Sequence, residues 1–229
     1  MLRGDFLTPL HPDGLKFVVP AAVVTVLLFV LWSPLGWIAL IVTLWLAYFF
    51  RDPWRVTPNR AGLLVSPADG MVVSIAPAAP PAELSMGAAA CVRIGIFLDL
   101  FSVHVTRCPI GGRVAALRYT KGRFLDASRE EASLNNERMA IRIAPAEGPE
   151  IAFVQIAGLV ARRIVCDLYE GQQVAVGQRM GIIRFGSRVD VYVPPPYVPM
   201  VIAGQRMIGG ETVLADRLAQ EPARQGAAQ

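Results

Sequence analysis

The chain has 229 residues, room for one sizeable catalytic domain with a small appendage and too few for two large domains. Apolar residues make up 54% and charged ones 17%, against about 45–50% and 25% in soluble domains, so part of the chain is expected to meet lipid. The formal charge of +4 comes from scattered arginines, with Lys16 and Lys121 the only lysines, and no basic block points to a nucleic-acid partner.

From Phe17 to Phe50 there is no charged residue, and the apolar run is broken only at Ser33-Pro34-Leu35-Gly36. Each arm, Phe17–Trp32 and Leu35–Phe50, would reach about 24 Å as a helix, short of a hydrocarbon core of about 30 Å. The pattern predicts a helical hairpin embedded from one face of a membrane. Arg3 and Lys16 precede it and Arg51 and Arg55 follow it, which places both ends, and the rest of the chain, on the cytoplasmic side of the cell membrane. The run is too long and too broken for a cleaved leader, and no small-residue cleavage pattern follows it. The expected organisation is a hairpin over residues 1–52 and a β-rich catalytic domain over 53–229.

Beyond Arg51-Asp52-Pro53 short apolar runs alternate with Gly and Pro. Strands are predicted at Leu63–Val65, Met71–Ile75, Val92–Leu98, Val103–Thr106, Val114–Leu117, Met139–Ile143, Ile151–Ile156 and Ile164–Leu168. Ala76–Pro81 reads as a surface loop, and Ser128–Arg138 alone offers much that could be helical. Gly-bounded turns between valine pairs, at Ser66–Val72 and Glu170–Gln178, suit hairpins in a compact β-sandwich or barrel. The second resembles the hairpin of biotinyl and lipoyl carriers, but no lysine follows Lys121, so there is no amine to modify.

Cys91, Cys108 and Cys166 are widely spaced and form no CxxC pair, so neither a disulfide framework nor a metal site is indicated. His11 and His104 are the only histidines, which leaves His104 as the one proton shuttle of the β-rich part. A lone strand histidine is more often structural than catalytic and needs a partner to count. Asp69, in Ser66-Pro67-Ala68-Asp69-Gly70, is by itself an Asp-Gly turn that caps its own backbone. Ser187 lies in Phe185-Gly186-Ser187-Arg188, between two β-favouring segments; Val189 replaces the second glycine of a hydrolase elbow.

These three segments, in this order behind a hydrophobic amino-terminal anchor, resemble the phosphatidylserine decarboxylase proenzymes, and the short prokaryotic branch in particular. The resemblance runs from the hairpin to about Val193. Longer members carry Leu-Gly-Ser-Thr where this chain has Phe185-Gly186-Ser187-Arg188, and a second histidine where it has Phe101; that histidine's role cannot be carried over.

The resemblance implies that His104, held by Asp69, takes the hydroxyl proton of Ser187, which attacks the Gly186 carbonyl. The chain would be cut between 186 and 187 into a large and a small piece that stay associated, Ser187 becoming a covalent pyruvoyl cofactor. That group would form a Schiff base with phosphatidylserine and accept the electrons released with carbon dioxide, leaving phosphatidylethanolamine. Membrane lipid is then a partner, and the pattern is compatible with a homo-oligomer. Two other readings stay open: a pyruvoyl decarboxylase of another serine phospholipid, such as an ether lipid, and a membrane-anchored β-sandwich binding module without enzymatic activity.

Overall fold

The computed structural model describes residues 8–87, 90–159, 163–184, 186–224 and 226. The chain divides into two compact units, Met1–Trp54 and Arg55–Gln229.

The first unit is a pair of helices, α1 (Pro12–Leu31) and α2 (Ser33–Phe49). α1 starts earlier than the apolar run. His11 Nδ1 accepts the Asp13 N–H at 3.2 Å, Pro12 occupies the first helical turn, and Lys16 pairs with Asp13 at 3.0 Å. With 20 residues and a mean hydropathy of 2.4, α1 spans about 30 Å, long enough to cross a bilayer; the expected shortfall therefore does not apply to it. α2, at 17 residues, is shorter. The two approach closely where side chains are small: a Cβ on Gly36 would lie 2.4 Å from the Phe29 ring, and the Thr25 and Thr43 hydroxyls are hydrogen-bonded at 2.9 Å. Val30, Leu31, Trp37 and Ile41 point outward, exposed.

The second unit is mainly β. Its strands are β1 (Leu63–Val65), β2 (Gly70–Ala78), β3 (Cys91–Leu98), β4 (Val105–Arg107), β5 (Gly112–Thr120), β6 (Arg138–Ala144) and β7 (Ile151–Ile156). They continue with β8 (Ile164–Cys166), β9 (Gln173–Val174), β10 (Arg179–Ile183), β11 (Ser187–Val193), β12 (Val198–Pro199), β13 (Arg206–Met207) and β14 (Val213–Asp216). An eight-stranded sheet runs β13-β2-β3-β11-β7-β6-β5-β9, and two three-stranded sheets run β1-β14-β12 and β4-β10-β8. One core joins all three, with Val72, Ile96, Phe153 and Val191 from the large sheet against Leu64, Leu214, Met180 and Ile183 from the small ones. The large sheet's other face carries a second cluster around Leu84, Ala132, Val154 and Tyr192.

Several expectations shift. β2 continues through Ala78, because beyond Met71 it leaves β13 and becomes an edge, where Pro77 costs no ladder bond. Ser66–Val72 is no hairpin: β1 pairs with β14, and β2 belongs to the large sheet. In the Glu170–Gln178 stretch β9 pairs with β5, not with β10. Within Ser128–Arg138 only α3 (Ala132–Asn135) is helical. It stops where the Asn136 side chain bonds the Leu125 backbone and the Ala157 carbonyl instead of continuing a helix.

Candidate active site

β10 belongs to a small sheet and β11 to the centre of the large one, so the Gly186-Ser187 link is where the chain changes sheets. β4 runs beside β10, and the His104 carbonyl accepts the Ile183 N–H at 3.2 Å. This carries the imidazole to the link. His104 Nε2 accepts the Gly186 N–H at 3.3 Å, and Nδ1 lies 3.0 Å from the Ser102 carbonyl. A nitrogen that accepts an N–H presents a lone pair, so Nδ1 carries the proton and donates it to Ser102. The ring thus presents its Nε2 lone pair to the residue before Ser187.

Ser102 is set by Asp99, whose carboxylate accepts the Phe101 and Ser102 N–H groups and the Ser102 hydroxyl at 2.8–3.0 Å. Burial opposes ionisation of Asp99, but these bonds outweigh it and hold its carboxyl below the usual range. Asp99 therefore positions His104 through a turn that its Asp-x-x-Ser spacing makes readable.

Ser187 and His104 are fully buried. The Ser187 hydroxyl has no hydrogen-bond partner among the described residues, an arrangement that costs about 1–3 kcal/mol for a buried polar group. Gly186 has φ +63°, and a side chain there would meet nothing within 4 Å. Glycine is needed for its left-handed backbone, not for space. Phe185 lies outside the described residues.

Asp69 reaches beyond its own turn. Oδ1 accepts the Gly209 N–H at 2.7 Å and Oδ2 pairs with Arg55 at 2.8 Å. The Arg107 N–H bonds the Pro67 carbonyl at 2.8 Å, tying the Asp69 loop to β4. β2 begins just after Asp69 with Met71 opposite Phe97, and Ser187 stands opposite Leu98, so Asp69 sits at the Ser187 end of the sheet, two strand positions from β11. The described bonds join His104 to Gly186; those of Asp69 run to Arg55 and Gly209.

Sequence reasoning passes over Arg188. Its guanidinium is fully buried, bonds Asp190 Oδ1 at 2.5 Å and Ser74 Oγ at 2.8 Å, and reaches Glu130 at 3.2 Å. Burial opposes its charge, but Asp190 and Glu130 overcome this and raise its pKa further. It also passes over Gln155, fully buried on β7, whose Nε2 donates to Thr106 Oγ1 at 2.7 Å. The three cysteines are free, and burial pushes the Cys108 thiol up to about 12, far from a reactive thiolate.

These residues suit a pyruvoyl group made in place: a buried, unbonded serine hydroxyl, a left-handed glycine before it and a basic nitrogen at their junction. Residues 42–215 match the family model described as phosphatidylserine decarboxylase. Over 227 residues the chain is 55% identical to the phosphatidylserine decarboxylase proenzyme of Cereibacter sphaeroides, covering 99% of this chain and 98% of that one. It is 56% identical to proteins of the same name from Paramagnetospirillum magneticum, over 95% of this chain and 91% of the relative, and from Ruegeria pomeroyi, over 94% and 98%.

Proposed function

The chain belongs to the phosphatidylserine decarboxylase family, and we propose that it converts phosphatidylserine to phosphatidylethanolamine and carbon dioxide with a pyruvoyl group made from its own Ser187. The observation that carries the reading is the basic Nε2 of His104 on the Gly186 N–H, beside a Ser187 hydroxyl that is buried and unbonded.

His104 takes the Ser187 proton, the oxygen attacks the Gly186 carbonyl carbon, and the C–N bond breaks with the proton passing to the Ser187 nitrogen, which leaves an ester. Loss of the Ser187 α-proton expels the large piece as the Gly186 carboxylate, and water then replaces the nitrogen of the resulting dehydroalanine, released as ammonia, with the ketone oxygen. Asp69 holds the charge balance of the imidazole from the loop tied to β4. The pyruvoyl group supplies an electron-accepting carbonyl for the substrate amine. Arg188, anchored by Asp190 and Ser74, keeps the new end of the small piece in the sheet, and the two pieces stay associated.

A lipid substrate is supported by apolar side chains around this end of the sheet. Leu100 and Phe101 in the turn before His104, and Leu159 beyond β7, are exposed, an arrangement suited to an interface. α1 is long and apolar enough to serve as an anchor, and the basic residues at both ends of the helix pair support a cytoplasmic position for the reacting end.

Intact-mass analysis of the detergent-purified chain tests the processing step. Two fragments split between 186 and 187, the smaller lacking a free amine, are expected, with carbon dioxide release from phosphatidylserine vesicles. One persistent uncut chain overturns the reading.

A further inference from the structure

Besides Ser187 Oγ, a second polar atom on the same buried face has no hydrogen-bond partner among the described residues: Gln155 Oε1. Val189 of β11 stands opposite Gln155 of β7, so the two share a face, and Ser187, two residues before Val189, shares it too. Ser187 and Gln155 are thus diagonal neighbours on adjacent antiparallel strands, about 7–8 Å apart at the backbone and within reach of a long side chain.

A chain of donors fixes which end of the Gln155 amide is left over. The Thr106 hydroxyl has one proton and donates it to the Gly181 carbonyl at 3.2 Å. It can then only accept from Gln155, which must offer its NH2 group, as it does at 2.7 Å. The amide oxygen remains as a buried acceptor without a donor. The serine hydroxyl is a buried donor without an acceptor, and Thr106 lies two residues beyond His104 in extended chain, on the side that meets them.

We propose that Gln155, oriented by Thr106, is a positioning residue for self-cleavage: its amide oxygen accepts the Ser187 hydroxyl as the serine turns and so sets the side-chain rotamer that faces His104, the single hydroxyl proton then leaving Gln155 for Nε2 as the oxygen attacks Gly186. This rests on the Gly186-Ser187 processing proposed above. It explains why an otherwise apolar strand, Ile151-Ala152-Phe153-Val154-Gln155-Ile156, carries one amide whose burial is incompletely compensated.

The test is the rate at which the full-length chain, newly made in detergent or vesicles, converts to two fragments. Gln155→Met keeps the length and removes the acceptor, and Thr106→Val keeps the shape and removes the anchor. Each is expected to slow cleavage about tenfold or more, the scale of one hydrogen bond lost at the reacting atom. Thr106→Ser, which restores the hydroxyl, should cleave near the unaltered rate, and the double variant should be no slower than Gln155→Met alone. The near-isosteric Thr106 pair keeps the test valid should Gln155→Met fold poorly. Unaltered chain that cleaves while Gln155→Met cleaves equally fast, or Thr106→Ser as slow as Thr106→Val, overturns the inference and leaves the processing reading standing. Unaltered chain that never cleaves removes both.

Discussion

Gly95 is empty where Arg188 needs room: a Cβ built on it would lie 2.3 Å from Arg188 Nη2 and 2.7 Å from Ser74 Oγ. Gly95→Ala therefore has to push the guanidinium off Asp190 and Ser74, leaving buried charges with poorer partners. We expect a loss of about 3 kcal/mol in stability by denaturant titration, the scale for disturbing a buried ion pair. Arg188→Met alone should cost at least as much, because it leaves buried Asp190 only the more distant Arg93 at 4.0 Å, while Arg188→Met with Asp190→Leu should recover part of the loss.

Gly186→Ala should slow self-cleavage without abolishing it. The site has space for a methyl group, so the penalty is the left-handed backbone at φ +63°, about 1–2 kcal/mol and hence roughly a tenfold slower conversion in a mass time course. A variant that cleaves at the unaltered rate would show that this conformation is not needed for attack.

Ser187→Ala is expected to remain one uncut, inactive chain and, unusually for a buried substitution, to be more stable than another uncut variant such as His104→Ala. It removes a hydroxyl that has no partner among the described residues, which returns about 1 kcal/mol in a melt compared between the two uncut proteins. Normal cleavage of His104→Ala would remove the imidazole from the proposed chemistry.

Charges placed on the exposed rim should separate processing from lipid turnover. Phe101→Glu and Leu159→Asp alter side chains that are 64% and 58% exposed, so folding and cleavage should be unchanged. Turnover of phosphatidylserine in vesicles should fall several-fold, with a short-chain soluble substrate affected less, because only the bilayer encounter loses apolar contact.

Acid should weaken the β unit partly through Glu130. Burial works against its charge, but the Ser74 hydrogen bond and the Arg188 and Arg93 guanidinia hold its carboxyl below the ordinary value of 4.5. A lowered folded-state pKa contributes stability above the unfolded value and loses it as pH falls through the folded one. Glu130→Gln should flatten the decline in melting temperature below about pH 4.5, the unfolded carboxyl's range.

His104 stands out in the sequence as the one histidine of the β-rich part, whereas Ser187 is singled out only by the family resemblance of its Phe-Gly-Ser-Arg segment. The strands with long apolar runs are legible, with ends moved by a residue or a few, whereas the short β9, β12, β13 and β14 carry too few apolar residues in a row to be read. Arg188 and Asp190 are not legible, because Ser187–Val193 alternates polar and apolar like a strand with one wet face. Every one of its residues is in fact buried, since the partners of that face, Ser74, Gly95 and Glu130, come from far along the chain. Asp69 misleads locally in the same way, since its carboxylate also reaches Gly209, far along the chain. The start of α1 is hidden by Asp13 and Lys16, which look like flanking charges and instead form its first turn.

β11 is laddered on both sides, to β3 from Ser187 to Val193 and to β7 from Arg188 to Tyr192. Cutting the chain just before it leaves a middle strand belonging to a separate polypeptide. Before the cut, that strand finds its slot as part of a tethered chain; afterwards its return is a bimolecular search into a sheet that is incomplete without it. Maturation by the proposed cut is therefore a one-way passage. The uncut protein can unfold and come back, whereas the cut one, once melted, has lost the instruction that assembled it, and its working lifetime is set by how slowly it first opens.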